Sequence, residues 1–439
     1  MTQFLQIFKR KYAIIIIFLI SFLAVFSLEP IPSMLYGYHQ ILTSSSVLLS
    51  DYLYIGGLAA TLFNVLVTII LNILILKWLK VEFTGAIFAC LLTIAGFAFF
   101  GKNLYNALPI YLGIFLYCKA TKSKCKDHVI VLLLSSGISP ITSFLIFGAG
   151  FDLWTGLVLG IVVGVAVGFI LPAFNGFTMK FHQGYNLYNT GFSMGVISMI
   201  LTGIFSSFGI EIIRDTKLNN DYHLQLFISV LILSVCFLLL GLMNNRKVFQ
   251  KYPSLLKQSG RLFSDFPKIL GNDVTFLNIG MMGLLSLTLI YFTKIQINGP
   301  VMGAILTIIG FSAFGKHPLN SIPVIIGAVL AIELTPLEWT TGSTLSVLFV
   351  TGLAPLAGQF GIVAGMIAGF IHLMFTPLAL EFQGGFDLYN NGFAAGFVSA
   401  VLAPVYHVFL KARDEGGAWN IILPFYKMGN NISVIIPDD

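Results

Sequence analysis

Two polar clusters sit inside an otherwise apolar chain, and each occurs twice. The first is Gly101-Lys102-Asn103 followed by Asn106 and Pro109, repeated as Gly315-Lys316-His317 followed by Asn320 and Pro323. An ammonium with amides or an imidazole beside it can replace part of a solute's hydration shell. Lys102, Asn103, Asn106, Lys316, His317 and Asn320 are therefore candidates for lining a path for a small polar or weakly charged solute. The competing reading is that each Gly-Lys marks a short surface loop whose lysine snorkels to lipid headgroups. The second cluster is G-[YF]-[ND]-L-Y-N-x-G-F, carrying Asn186, Tyr188 and Asn189 in one copy and Asp387, Tyr389 and Asn390 in the other. These side chains could line the mouth of the same path. Asn and Asp could instead cap the next helix, but capping uses one residue of the pattern.

Recognisable enzyme chemistry is missing. The sequence has no H-E-x-x-H, no G-x-x-x-x-G-K-[ST] and no G-x-S-x-G, so no catalytic residue is assigned. Cys90, Cys118, Cys125 and Cys236 have no metal-type spacing and form no disulfide framework, and no metal site is expected. Single polar residues such as Glu333, His372 and His407 are weak candidates, because an ionisable group signals function only where it lies deep in the membrane.

The elements that must hold these clusters are membrane helices. Hydrophobic residues make up 57% of the chain and charged residues 10%, against roughly 45–50% and 25% in soluble domains. A span takes about 20 apolar residues, which leaves room for roughly a dozen in 439. Candidate spans begin near residues 12, 53, 84, 104, 128, 155, 188 and 224, then near 273, 299, 319, 343, 360 and 388. Several are too short to be ordinary spans. Gly and Pro break the helical ladder around Gly101 and Gly315, so broken or re-entrant helices are expected there. The net charge of +6 comes from short Lys/Arg clusters between apolar runs, which is loop chemistry and not a nucleic-acid footprint. The clusters at Lys9-Arg10-Lys11, Lys119–Lys126, Arg246–Arg261 and Lys411-Arg413 all face the cytoplasm for this helix count. Both termini are then cytoplasmic, in a multi-pass protein of a bacterial or archaeal cell membrane. The run from Tyr12 to Leu28 lacks a small-x-small cleavage site and reads as a retained helix.

An internal repeat organises the chain. Residues 96–113 align without a gap to 310–327 at an offset of 214 (310 − 96), with eight of eighteen positions identical. Residues 181–195 align to 382–396 at an offset of 201 (382 − 181), with eight of fifteen identical. Glycine ladders at Gly160-Gly164-Gly168 and Gly361-Gly365-Gly369 lie between these pairs in the same order, and small residues at that spacing let membrane helices approach closely. The expected division is 1–50 for a first helix and outer segment, 51–210 for repeat 1, 211–272 for a connecting span and cytoplasmic linker, 273–410 for repeat 2 and 411–439 for a tail. One span stands between the copies, so the second starts on the opposite side and the repeats are inverted, as in transporter and channel folds.

The pattern built on G-K-x-x-x-N-x-x-P-x-x-x-G and G-x-x-L-Y-N-x-G-F resembles a family of bacterial and archaeal polytopic membrane proteins that carry a domain of unknown function twice. That resemblance covers most of the chain and implies no activity. Gly101-Lys102-Asn103-Leu104-Tyr105-Asn106 is also similar to the G-x-N-x-F-N-P element in membrane subunits of sodium-pumping quinone oxidoreductases and Rnf complexes, with the proline displaced. This second likeness implies an all-α, urea-transporter-like architecture with two inverted repeats. In those subunits a threonine ending [ST]-G-A-T carries covalent flavin mononucleotide. Here Thr344 ends Thr341-Gly342-Ser343-Thr344, without the alanine. The chemistry points to a channel or transporter whose partners are the bilayer and a small solute or ion, and a homo-oligomer is compatible with it. The alternative is a non-transporting membrane subunit of a redox or other complex, flavin-bearing at Thr344 or without a cofactor.

Overall fold

A computed structural model describes residues 27–214, 216–244 and 247–414. Most of the helix expected from Tyr12, the Lys9-Arg10-Lys11 cluster, Arg246 and the tail beyond residue 414 lie outside them. The described residues fold as nineteen α-helices and three short 3-10 segments, with no strand beyond isolated bridges at Asp51–Phe100 and Asp265–Phe314. Nine helical stretches among them are long and apolar enough to cross a membrane. The chain is an all-α, multi-pass membrane protein.

The helices form two series of nine joined by one. The first comprises α1 (Ile31–Leu42), α2 (Tyr52–Ile55), α3 (Gly57–Trp78), α4 (Gly85–Phe97), α5 (Leu108–Ala120), α6 (Val129–Leu134), α7 (Pro140–Phe147), α8 (Leu153–Phe181) and α9 (Asn189–Ser207). The connecting helix is α10 (His223–Asn244). The second comprises α11 (Val248–Leu256), α12 (Phe266–Leu270), α13 (Asn272–Thr293), α14 (Gly299–Phe311), α15 (Pro318–Glu333), α16 (Thr341–Phe349), α17 (Ala354–Phe360), α18 (Ile362–Phe382) and α19 (Asn390–Asp414). The stretch read as a linker thus contains α11 and α12, the counterparts of α1 and α2.

Helices α4 and α14 have 13 residues each, about 20 Å of helix, which is too short for a hydrocarbon core of about 30 Å. Each ends in the Gly-Lys break and is followed by a separate helix, α5 or α15. A further break interrupts the stretch Cys125–Phe147, where the 3-10 turn Ser135–Ile138 separates α6 from α7, and its counterpart Val350–Leu353 separates α16 from α17. These are the most enclosed of the nine candidate spans among the described residues. Their signal in the sequence is Gly137-x-x-Pro140 and Gly352-x-x-Pro355, a second pair of breaks beyond those expected around Gly101 and Gly315.

Close helix approach builds the interface between repeats. Helices α4 and α14 pack antiparallel: Gly85 lies against the Ala313 carbonyl, Gly96 against Gly303, and Gly310 against Ala89. Within each repeat the glycine ladder does the same work. Gly168 of α8 lies against the Ile110 carbonyl, and Gly369 of α18 against that of Val324. Without a hydrophobic driving force between helices in lipid, such contacts supply the packing. The other face of α8 carries Trp154, Val158, Ile161 and Val162, all exposed, and contacts the bilayer.

Candidate functional site

The breaks at 98–107 and 312–317 free backbone carbonyls that must find donors at membrane depth. One asparagine on the preceding long helix supplies them in each repeat. Asn64 of α3 donates its side-chain amide to the Ala98 and Lys102 carbonyls at 2.8 and 2.9 Å. Asn278 of α13 donates to those of Ser312 and Lys316, both at 2.7 Å. A lone asparagine in an apolar helix gave no signal by itself; the shared offset of 214 (278 − 64) would have exposed the pair. Asn278→Leu leaves both carbonyls without that donor. A loss of about 2–5 kcal/mol is expected, read as a lower melting temperature in detergent.

The remaining polar residues of the first motif shape the turns into α5 and α15. Asn103 and Asn106 each accept the other's backbone N–H at 3.0 Å. His317 and Asn320 form the equivalent capping box, at 3.0 and 3.2 Å. Asn106 also donates to the Gly101 carbonyl and Ser143 Oγ, both at 3.0 Å, and Asn320 donates to the Gly315 carbonyl at 2.9 Å. All four side chains are fully buried.

Reciprocal carboxylate caps tie the repeats together. Asp265 of the second repeat accepts the Gly85 N–H at the start of α4 at 3.1 Å, while Asp51 of the first accepts from Gly299 at the start of α14. Asp51 also accepts from Leu53 and Asn219, both at 2.9 Å. Burial pushes the Asp51 carboxyl up to about 6, outweighing these N–H donors, which pull it down. A carboxyl raised above its unfolded value of about 3.9 contributes stability that is complete below that value and is lost as pH rises through about 6. The melting temperature should therefore fall between acidic and neutral pH in the wild type, and Asp51→Asn should remove that component.

Lys102 and Lys316 point inward and are fully buried. Lys316 Nζ donates to the Tyr188 hydroxyl and, at 2.8 Å, to Thr351 Oγ1. Lys102 Nζ has no hydrogen-bond partner and lies 5.7 Å from the Tyr111 ring centroid. Tyr389, the counterpart of Tyr188, donates instead to Thr93 Oγ1 at 3.1 Å. The same lysine–tyrosine pair is thus engaged in one half and separated in the other. Between the halves the Tyr188 and Tyr389 rings lie 4.9 Å apart, with Phe97, Phe311 and Phe349 edge-on against them. Together these rings form a buried aromatic cluster between the repeats.

The second motif is a turn that docks on the opposite repeat. Leu187 N–H donates to the Gly352 carbonyl at 3.0 Å and Leu388 N–H to the Gly137 carbonyl at 2.9 Å, both in the broken inner stretches. Asn186 Oδ1 accepts the Tyr188 N–H, and Asp387 Oδ1 that of Tyr389, each at 2.9 Å. Asn189 bonds Thr178 Oγ1 at 3.0 Å and His182 Nε2 at 2.7 Å. Asn390 donates to the Thr376 carbonyl at 3.4 Å.

Two cavities meet this aromatic cluster, one at Phe349 and the other at Phe311, and they are the same cavity built twice. The larger, about 280 Å³, is walled by Leu48, Phe100, Thr376, Leu388 and Asn390. The smaller, about 160 Å³, is walled by the counterparts Leu262, Phe314, Asn175, Leu187 and Asn189. Asn391, Ser346 and Glu338 add polar groups to the first, and Thr190, Asp127 and His128 to the second. Asn189 and Asn390 are wall residues. Asn186, Tyr188, Asp387 and Tyr389 wall neither cavity, and Lys102, Asn103, Asn106, Lys316, His317 and Asn320 belong to the breaks and do not wall them either.

Both motifs, both breaks and both cavities thus recur in two stretches of one chain. The chain belongs to the DUF1576 family. That family's model, described as a protein of unknown function, matches residues 31–207 and 244–408, the two helix series of the fold. No curated protein and no solved structure is significantly similar to the chain. The DUF1576 repeat therefore begins at α1 and again at α11. Thr344 of the second repeat is 2% exposed, and its hydroxyl has no hydrogen-bond partner. Its neighbours Gly342, Ser343 and Leu345 wall the larger cavity but Thr344 does not, so a flavin phosphate on that hydroxyl does not fit this arrangement. No cluster of metal-ligating side chains is present among the described residues.

Proposed function

We propose that this DUF1576 protein moves a small polar or weakly charged solute across a bacterial or archaeal cell membrane, along a path through the two cavities with the aromatic cluster as the barrier between them. The observation that carries this reading is the pair of equivalent cavities that meet the cluster around Tyr188 and Tyr389. Each offers amides and hydroxyls on an apolar wall, the mixture a solute needs to trade hydration for contacts without being trapped.

The repeats are inverted in this reading. Antiparallel packing of the equivalent helices α4 and α14 and the single span α10 between the series support it. The smaller cavity, beside Asp127 and the Lys119–Lys126 cluster, then opens to the cytoplasm by the positive-inside rule, and the larger opens outward.

Labelling from each side tests the arrangement. In a chain with its four cysteines replaced, Ser343→Cys should react with a membrane-impermeant maleimide in intact cells. His128→Cys should react only in inside-out vesicles. Reaction of both from one side would overturn the path.

A further inference from the structure

Asp387 and Asn186 occupy equivalent places in the two docking turns, and their first oxygens do the same thing. Each Oδ1 accepts the N–H two residues on, at 2.9 Å. The second atoms differ. Asn186 Nδ2 donates to the Gly392 carbonyl of the other repeat at 2.9 Å. Asp387 Oδ2 takes the place of that amide nitrogen, and the Gly191 carbonyl is the counterpart, at an offset of 201 (392 − 191), of the one that Asn186 meets. Gly191 packs on the Asp387 turn through Tyr389, just as Gly392 packs on Tyr188. Asp387 is fully buried, and its Oδ2 has no hydrogen-bond partner.

A carboxylate oxygen cannot donate, and two acceptors facing each other in a buried site repel. One proton resolves the conflict. We propose that Asp387 is a proton-binding site: in this conformation it is a neutral carboxylic acid that gives its hydrogen to the Gly191 carbonyl, and its release of that proton couples transport to protons. The first half rests on the buried, unpartnered Oδ2 and on its correspondence with the Asn186 amide; the coupling rests on the transport reading.

The titratable groups facing this turn offer no ion pair. They are Tyr389 on the turn itself, Tyr188 at the start of α9, Lys102 in the break that Leu388 packs against, and His372 on α18, whose Nε2 is 3.1 Å from the Asn391 carbonyl. Lys102 Nζ has no hydrogen-bond partner and Tyr389 donates to Thr93. Farther along α18, Glu381 pairs with Arg214 at 2.9 Å. The route for the proton is short, because Leu388 and Asn390 wall the larger cavity. On deprotonation the proton passes to water there, and the carboxylate left behind opposes the Gly191 carbonyl, loosening the crossing of α9 with α19.

Infrared spectroscopy of the purified full chain in detergent tests this directly. Wild type minus Asp387→Asn should show a protonated-carboxyl band at neutral pH that disappears in alkali. The Asp51→Asn chain, which alters the other buried aspartate among the described residues, should retain it. No such difference band would mean that Asp387 is ionised and would overturn the proposal. Failure of Asp387→Asn to fold would also count against it, since an amide already satisfies the matching carbonyl at Asn186. The band does not depend on flux, so a protein with the band but without transport would sink the transport reading and leave the proton site standing.

Discussion

Replacing Gly303 with leucine should leave little or no folded protein in detergent, whereas Gly203→Leu should be recovered near the wild-type level. At Gly303 a Cβ would lie 3.0 Å from the Gly96 carbonyl oxygen, and closer still to the Phe100 ring. Leucine adds four carbons where even one does not fit. Neither neighbour has room to yield: Gly96 contributes backbone, and the Phe100 ring is buried and packed edge-on against Phe97. Overpacking of a well-packed core costs about 1–3 kcal/mol, and a forced backbone separation at the centre of the repeat interface should exceed that range. Gly203, on α9, has nothing within 4 Å of the same added carbon. Monodisperse yield and melting temperature read the contrast. Equal values for the two variants would mean that α4 and α14 do not cross at this point.

A second large effect is expected at the barrier. Tyr188→Ala combined with Tyr389→Ala removes the rings that separate the cavities, and Tyr188→Phe with Tyr389→Phe keeps them. The alanine pair should raise passive urea permeability of proteoliposomes at least about tenfold, which asks for only about 1.4 kcal/mol off the barrier. The phenylalanine pair should stay near wild type, because ring bulk closes the path. A leak in the phenylalanine pair would transfer that role to the hydroxyls held by Lys316 and Thr93. An unchanged alanine pair would place the barrier elsewhere.

The parts of this architecture legible in the sequence were those that announce themselves locally. Gly101, Asn106 and Pro109 cannot sit in a continuous lipid-facing helix, and the same pattern around Gly315 made the breaks at 98–107 and 312–317 predictable. Hydropathy found the spans. What the sequence hid was every contact whose meaning lies in a distant partner. Asn64 and Asn278 look like isolated amides in apolar helices until the carbonyls of Ala98 and Ser312 are seen beside them. Asp51 and Asp265 look like loop residues, although each caps a helix of the opposite repeat. The short helices α1 and α11 share few residues, so the repeat began later in the sequence than it does in space.

The candidate site shows the same division. The Tyr-Asn motifs were visible as a duplicated string, but their roles separate only in three dimensions. Asn189 and Asn390 wall the cavities, Asn186 and Asp387 lock the turns, and Tyr188 and Tyr389 meet between the repeats. Asn106 and Asn320 were read as path residues from their burial in apolar sequence. In the fold their bonds are spent on the turns into α5 and α15. Among the cavity-wall residues, Asn391 keeps an unpartnered side-chain oxygen, whereas Asn189, like Asn106, already bonds its neighbours.

Solute flux is the measurement that bears most directly on the central claim of a path through both cavities. Proteoliposomes should be challenged in a stopped-flow osmotic assay with urea, glycerol, glycine and nitrate, using wild type, an Asn189→Leu, Asn390→Leu double variant, and protein-free vesicles. The path predicts that wild type passes at least one of these solutes faster than the empty vesicles, and that the double variant loses about tenfold or more of the difference, the amount that follows from about 1.4 kcal/mol at the barrier. Flux through the double variant equal to that of wild type, or wild-type flux no greater than that of empty vesicles, would contradict it.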